Sequence, residues 1–379
     1  MIKTQIVIVQ PTPFCNINCR YCYLPYRTSK QRISFVTISQ IFKLFFSSPF
    51  AADEITVVWH AGEPLILPIS FYEQAFQCIE QENIHRIRIT HSFQTNATLI
   101  THGWCDFFKR YQAQVGVSLD GPQHIHDAQR VDRANKGTFK SAMHGVRLLQ
   151  EHNLQFSAIA VVTEHTLQYA EEFWKFFMDL RPTRLGLNPE VAEGVNATST
   201  LHTETAMLRY KAFIRDLLKW HDCTPEPIRI REIEYLIDYL HHCSPFIRSQ
   251  TNVPGTILSF DCDGNISTFS PELLTVTRPN GGNFRFGNVF EGTLQDSFTT
   301  EKFIQVNKQI QEGVLKCEQT CDHFMFCGGG FPANKIYENG SFNSTETNAC
   351  RLRVKATVDA LLEHLEERYH IDPPQAEST

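Results

Sequence analysis

The sequence predicts an α/β protein, a partial (β/α)6 barrel over residues 1–190 with a small metal-binding domain behind it. Three observations carry that expectation. From residue 5 to about 190, short apolar runs alternate six times with segments of helical periodicity, the pattern of strand–helix units laid around a parallel sheet. Three cysteines follow the first apolar run, and four more crowd together after residue 316. With 42% hydrophobic and 20% charged residues over 379 positions, the composition is globular and the chain long enough for a large core.

Taken in order, strands are expected at Ile6–Val9, Ile55–Trp59, Ile87–Phe93, Gln114–Ser118, Phe156–Val162 and Leu185–Leu187. The helices between them are amphipathic. In Thr138–Gln150, for example, Phe139, Ala142, Val146 and Leu149 recur at spacings of three and four and share one face. Right-handed crossovers curl such units into part of a barrel. Residues 191–255 form a bridge of two helical stretches, His202–Trp220 and Arg229–His242, separated by Thr224-Pro225-Glu226-Pro227. The second domain, 256–352, opens on a hairpin in which Ile257–Ser259 and Asn265–Phe269 flank Asp263-Gly264. A closing amphipathic helix (Val354, Val358, Leu361, Leu365, Tyr369) and a polar tail from Asp372 complete the chain as 353–379.

Charge and the N-terminus exclude several classes. The net charge is -6, and lysines and arginines are scattered, so no phosphate-backbone footprint is present and no nucleic-acid partner is expected. The apolar run Ile6–Val9 is too short for a signal peptide or a membrane span, which implies a cytoplasmic protein with no membrane partner. In that setting twelve cysteines point to metal ligation before disulfides.

The first cysteine group is Cys15-Asn16-Ile17-Asn18-Cys19-Arg20-Tyr21-Cys22. Its three thiolates can occupy three corners of one iron–sulfur cube, leaving the fourth iron open. A structural zinc site wants four ligands, and no fourth cysteine or histidine lies nearby in sequence. This spacing, with Tyr23 after it, resembles the signature of the radical S-adenosylmethionine (SAM) superfamily. The resemblance implies a [4Fe-4S] cluster whose open iron chelates SAM and reductively cleaves it to a 5'-deoxyadenosyl radical, with flavodoxin or ferredoxin as electron donor.

Later motifs extend the resemblance. Trp59-His60-Ala61-Gly62-Glu63-Pro64 looks like the family's glycine-glycine-glutamate turn with Ala61 in place of the first glycine, so Gly62 and Glu63 are expected at the SAM amino group. Gln94-Thr95-Asn96 and Ser118-Leu119-Asp120-Gly121-Pro122, with Arg130 beyond, resemble the ribose and carboxylate contacts; Gln94, Asn96, Ser118 and Arg130 are the candidates. Alone, Gly62 reads as a turn glycine, Asn96 as a helix cap before Leu99, and Arg130 as a solvated charge. Their shared position at the C-terminal ends of strands favours the cofactor reading, because barrel enzymes place their chemistry there.

The second group is Cys317, Cys321, Cys327 and Cys350, with Gly328-Gly329-Gly330-Phe331-Pro332-Ala333-Asn334-Lys335 after the third cysteine. On spacing alone a zinc site competes with an iron–sulfur cluster. The group resembles a SPASM domain, whose full form holds seven cysteines around two auxiliary [4Fe-4S] clusters. Two of those cysteines would fall at Phe269 and Phe331, so the resemblance implies one auxiliary cluster, on Cys317, Cys321, Cys327 and Cys350. Cys262 is then a bystander or an outlying ligand, and Cys78, Cys105, Cys223 and Cys243 are ordinary thiols.

The stretch from Cys327 to Leu352, with STFSPELL and NFRFGNV, resembles the cyclophane-forming radical SAM/SPASM peptide maturases associated with glycine-rich-repeat precursors. The implied partner is a ribosomally made precursor peptide, and the implied product a bond between an aromatic ring carbon and a nearby side-chain β carbon. Anaerobic sulfatase-maturing enzymes, which generate formylglycine, share SLDGP and its following His-Asp and Arg, but would carry a cysteine and a catalytic aspartate near Phe269 and Ser270. A thioether-forming maturase is a further alternative, and a zinc-binding regulator is the non-enzymatic one. The residue that accepts the final proton is unassigned. Glu190, Asp263 and His60 are candidates, each with a plainer reading as a solvated or capping group.

Overall fold

The computed structural model describes residues 2–242, 249–275 and 282–369. Nine strands form one open sheet: β1 (Ile6–Val9), β2 (Glu54–Trp59), β3 (Arg88–Thr95), β4 (Gln114–Ser118), β5 (Ser157–Val162), β6 (Leu185–Pro189), β7 (Ile257–Phe260), β8 (Asn265–Thr268) and β9 (Gly287–Asn288). Their order is β6-β5-β4-β3-β2-β1-β7-β8-β9, with β1 to β6 parallel. All six expected strands and the hairpin are present, most of them within two residues of the expected bounds.

Each strand forms because it can bury a face between the sheet and a covering helix. Along β2, Ile55, Val57 and Trp59 are buried while Glu54, Thr56 and Val58 are not, the period of two that a strand imposes. Trp59 packs edge-on against Tyr72 of the helix Ile69–Glu82. The helix expected at Thr138–Gln150 spans Phe139–Glu151 and buries Ala142, Val146 and Leu149.

The hairpin expected to open a separate domain is joined to the barrel sheet. β7 pairs in parallel with β1, Ile6 opposite Ile257 through Val9 opposite Phe260, and β8 then turns back antiparallel. The bridge and closing helices also form one layer: Arg215 of Ala206–Cys223 meets Glu367 at 2.6 Å, and His364 meets Asp222 at 2.8 Å. A π-helical turn, Arg351–Ala356, leads into the closing helix Thr357–Tyr369. Behind the hairpin runs a long helix, Glu301–Thr320, capped by the Thr300 hydroxyl and burying Phe303, Ile310, Val314 and Cys317 on one face. The tail from Asp372, Cys243 and part of the glycine-rich stretch before Asn288 lie outside the described residues.

Candidate functional site

Because β1 to β6 are parallel, their C-terminal ends share one rim, and the loops leaving that rim carry the first group of candidates. Cys15, Cys19, Cys22, Gly62, Glu63, Gln94, Asn96, Ser118 and Arg130 all line a single cavity of ≈ 240 Å³. The cysteine loop is fixed on this rim by backbone bonds to the chain beyond β4: Asn18 N–H donates to Val131 O at 2.7 Å and Arg20 N–H to Gln129 O at 3.0 Å.

The wall residues brace one another. Gly62 has φ +69°, and a Cβ there would lie 2.3 Å from Thr12 O and 2.6 Å from Phe14 O, so only glycine lets the β2 turn approach the cysteine loop this closely. The buried Glu63 carboxylate accepts from Leu65 N–H, the Thr95 hydroxyl and Asn96 N–H. Burial pushes it up to about 7 against those three bonds, which pull the other way. Asn96 does not cap a helix at Leu99, since the next helix begins at His102. Its side chain donates to Asn16 at 2.9 Å and reaches Cys15 Sγ at 3.8 Å, so it holds the cysteine loop. Gln94 Nε2 donates to Ser118 Oγ at 2.9 Å from β3 to β4, at a place where a Cβ on Gly116 would strike Gln94 at 2.3 Å.

Arg130 is 6% exposed, which removes the solvated-charge reading. Its guanidinium donates to Asp120 Oδ1 at 3.0 Å, lies over the Tyr21 ring and reaches Cys19 Sγ at 3.9 Å. Burial opposes its charge, yet Asp120 and Tyr21 more than offset that and hold it charged. Tyr21 donates to the second Asp120 oxygen at 2.5 Å. Tyr21 and Asp120 were legible only as parts of motifs, yet they tie the cysteine loop to the end of β4.

Burial pushes the bare Cys15 thiol up to about 12, helped by Glu63, and Cys19 up to about 11 against the pull of Arg130. Both are therefore thiols at neutral pH until a metal displaces their protons. Among the described residues, no three His, Cys, Asp or Glu side chains converge tightly enough for a lone metal ion. Thiolates on a four-iron cube stand farther apart than those around one zinc, so an open, three-cysteine cavity fits the cube.

The far wall holds His60, Glu190, Glu193, Glu272 and Arg353. Of the three proposed bases, Glu190 is committed to Thr200, and Asp263 lies in a separate cavity, paired with Gln31. His60 is on the wall, pushed down to about 4 by burial and so neutral at pH 7. Glu193 and Glu272 were missed. Glu193 is driven well above the usual carboxylate range by burial and by the nearby Glu272. The only sequence signal was the position of Glu272 within STFSPELL.

The second group also converges. Cys317 lies in the last turn of the helix Glu301–Thr320, Cys321 caps it, Cys327 precedes the glycine run and Cys350 precedes the π turn; all four line one cavity of ≈ 160 Å³. A cube with four thiolates fits that donor set. Burial pushes the Cys350 thiol up to about 12 and raises Cys327. Cys262 is in neither cavity: its thiol donates to Gln10 O at 3.3 Å. Phe269, where the resemblance puts a cysteine, is fully buried and stacks on Phe303 at 6.0 Å within a cluster that includes Phe284, Phe286 and Phe342. Phe331 lies under the Arg353 guanidinium at 4.8 Å. Cys105 is buried in the main core, Cys78 half-buried and Cys223 exposed.

A rim of parallel-strand ends carrying a three-cysteine loop defines an iron–sulfur, SAM-cleaving class of enzyme, and comparison with known proteins agrees. Residues 9–177 match the radical SAM superfamily. An uncharacterized protein of Synechocystis is 40% identical over 96% of this chain and 92% of its own length. A serine-type anaerobic sulfatase-maturating enzyme of Bacteroides thetaiotaomicron is 26% identical over 88% of this chain and 84% of its own. Among solved structures, anSMEcpe with bound AdoMet superposes with a TM-score of 0.80 at 20% identity, covering 96% of this chain and 97% of that one. SuiB of Streptococcus suis bound to its precursor peptide SuiA gives 0.65 at 14% identity, covering 92% and 76%. Residues 9–177 are a radical SAM domain, and the chain is an enzyme of that class. Among the described residues no helix is long and apolar enough to cross a membrane.

Proposed function

We propose that this enzyme matures a ribosomally made peptide by forming carbon–carbon cyclophane links between an aromatic ring and a nearby side-chain β carbon. Cys15, Cys19 and Cys22 would hold the SAM cluster, and Gly62, Glu63, Gln94, Asn96, Ser118 and Arg130 the SAM pocket. Cys317, Cys321, Cys327 and Cys350 would hold one auxiliary cluster within a SPASM-like domain. When bound, these groups supply the 5'-deoxyadenosyl radical and a one-electron acceptor. The protein's own part is to orient the peptide in the cavity, exclude water and take up one proton, for which Glu272 is the carboxyl at hand.

The observation that carries the cyclophane reading over the sulfatase-maturing one is Phe269. Its ring fills an aromatic core where the second auxiliary cluster of that family would need a cysteine, and Ser270 stands where its aspartate would be. Peptide-bound relatives of the same fold support a peptide substrate.

The test is to incubate anaerobic, reconstituted enzyme with its precursor, SAM and a reductant, and to map the product by tandem mass spectrometry. Each crosslink removes two hydrogens, so the mass falls by about 2 Da per link, fragment ions vanish between an aromatic residue and one close after it, and every thiol stays alkylatable. A captured aldehyde supports the sulfatase-type reaction instead, and a consumed thiol the thioether one.

A further inference from the structure

Lys335 is 4% exposed, although a lysine is almost never fully buried unless its charge is answered. It stands on the first turn of the helix Pro332–Asn339 and lines the four-cysteine cavity. Its ammonium donates to Gly313 O at 3.0 Å and to Cys317 Sγ at 3.4 Å. The approach is built in: a Cβ on Gly313 would lie 3.2 Å from the ammonium and 2.2 Å from Phe342 O, so glycine alone leaves room.

Lys355 lines the same cavity, but its charge is already taken. It pairs with Glu346, which Arg351 also meets. Among the described residues the structure gives the Lys335 ammonium no carboxylate. A carbonyl dipole and one sulfur are what it has, and a buried cation in such company calls for an anion at that sulfur. A neutral thiol does not supply it, whereas a cluster thiolate does.

We propose that Lys335 is a positioning residue for electron transfer, its buried ammonium raising the reduction potential of the four-iron cluster ligated by Cys317. The inference rests on the auxiliary cluster of the proposed function and deepens it. Net charge and hydrogen bonds to sulfur are two of the levers by which a protein sets such a potential. When bound, that cluster would supply an acceptor for the one electron lost as the crosslinked ring regains aromaticity, while a cavity carboxyl would take the accompanying proton. A positive charge against a ligand sulfur stabilises the reduced cluster and so favours that step.

The experiment needs no peptide. In a Cys15→Ala, Cys19→Ala, Cys22→Ala background only the auxiliary cluster remains, and its midpoint is read by a redox titration followed by electron paramagnetic resonance. Lys335→Met should lower the midpoint by at least a tenfold change in the electron-transfer equilibrium, about 59 mV for one electron. Lys335→Arg, which keeps the charge, should shift it by less than half as much. Should the methionine variant load no iron, Lys335→Gln replaces it, keeping a donor while losing the charge, with the same expectation. A loaded cluster whose midpoint is unmoved in the neutral variant overturns the inference and leaves Lys335 a packing residue. A parent background that binds no iron overturns the auxiliary cluster itself, and the inference with it.

Discussion

The two cysteine sites are built on opposite principles. The first sits on the rim of a parallel sheet, and polar bonds hold it in place: Asn96 to Asn16, Tyr21 to Asp120, Asp120 to Arg130. The second lies where three helical segments meet, held by apolar packing around Val314 and Phe324, with one buried lysine against the Cys317 sulfur. Three donors around an open cavity leave a coordination place for a reacting molecule, whereas four donors close it. What this teaches is that polar brackets surround the open site, which the proposed function has bind and release a ligand, while the closed four-cysteine site can be held by packing.

The comparison breaks most visibly on iron. Reconstituted protein should bind about eight irons per chain; replacing Cys15, Cys19 and Cys22 together should leave about four and abolish SAM cleavage. Replacing Cys317, Cys321, Cys327 and Cys350 should leave about four irons with SAM cleavage intact and crosslinking lost. About twelve irons in the parent would mean that a second auxiliary cluster survives despite Phe269.

Next in size is the polar bracket itself. Arg130→Ala leaves Asp120 buried and 1% exposed without its cation, and breaking one side of a buried pair costs about 3–5 kcal/mol. The variant should therefore lose stability as well as SAM affinity, read as an earlier denaturant midpoint together with weaker SAM binding. A normal midpoint with weak SAM binding would make Arg130 a cofactor contact and nothing more.

That outcome marks the limit of the sequence. Strands such as Gln114–Ser118 were legible to the residue because an apolar run between turn signals is a local property. The burial of Arg130 was not, because it depends on an aspartate ten residues earlier that the β4 turn brings under it. Glu193 and Glu272 lie far apart in sequence and meet only when β6 and the hairpin loop converge. Likewise the pairing of β7 on the free side of β1 joins residues about 250 apart, and no pattern in either strand announces it. The two cysteine groups were legible because their spacing is local; the braces around them were not.

Acid should weaken the fold mainly through the rim side. Burial pushes His60 and His126 down to about 4 and His91 down to about 3, so folding favours their neutral forms. Their contribution is complete above the ordinary histidine value of about 6.5 and is lost as pH falls from there toward 4. Thermal midpoints should thus decline between about pH 7 and pH 5. His126, held between Asp120 N–H and the Thr138 hydroxyl, tests this directly: His126→Asn should lower stability at pH 7.5 yet flatten the decline. Parallel pH profiles for variant and parent would show that His126 is not one of the protons involved.

The smallest expected effect concerns Ala61, where the turn departs from the family's glycine. Its φ is +73°, in the left-handed region, immediately before Gly62 at +69°. An alanine pays about 1–2 kcal/mol for that conformation and glycine almost nothing. Against this, Ala61 is 8% exposed, so Ala61→Gly gives up one buried methyl, about 0.8 kcal/mol, and adds unfolded-state entropy. The two sides nearly cancel. The rim geometry decides the sign, because the turn backbone cannot relax: Gly62 is already pressed against Thr12 O and Phe14 O, and relaxing Ala61 toward negative φ would pull it away. Ala61→Gly should therefore be stabilising by about 0.5 kcal/mol at most, a rise of roughly 1 °C in thermal midpoint for a chain of this size, with SAM affinity unchanged. A clear loss of stability would mean that the methyl group, and not the backbone, is what position 61 contributes to the cavity wall.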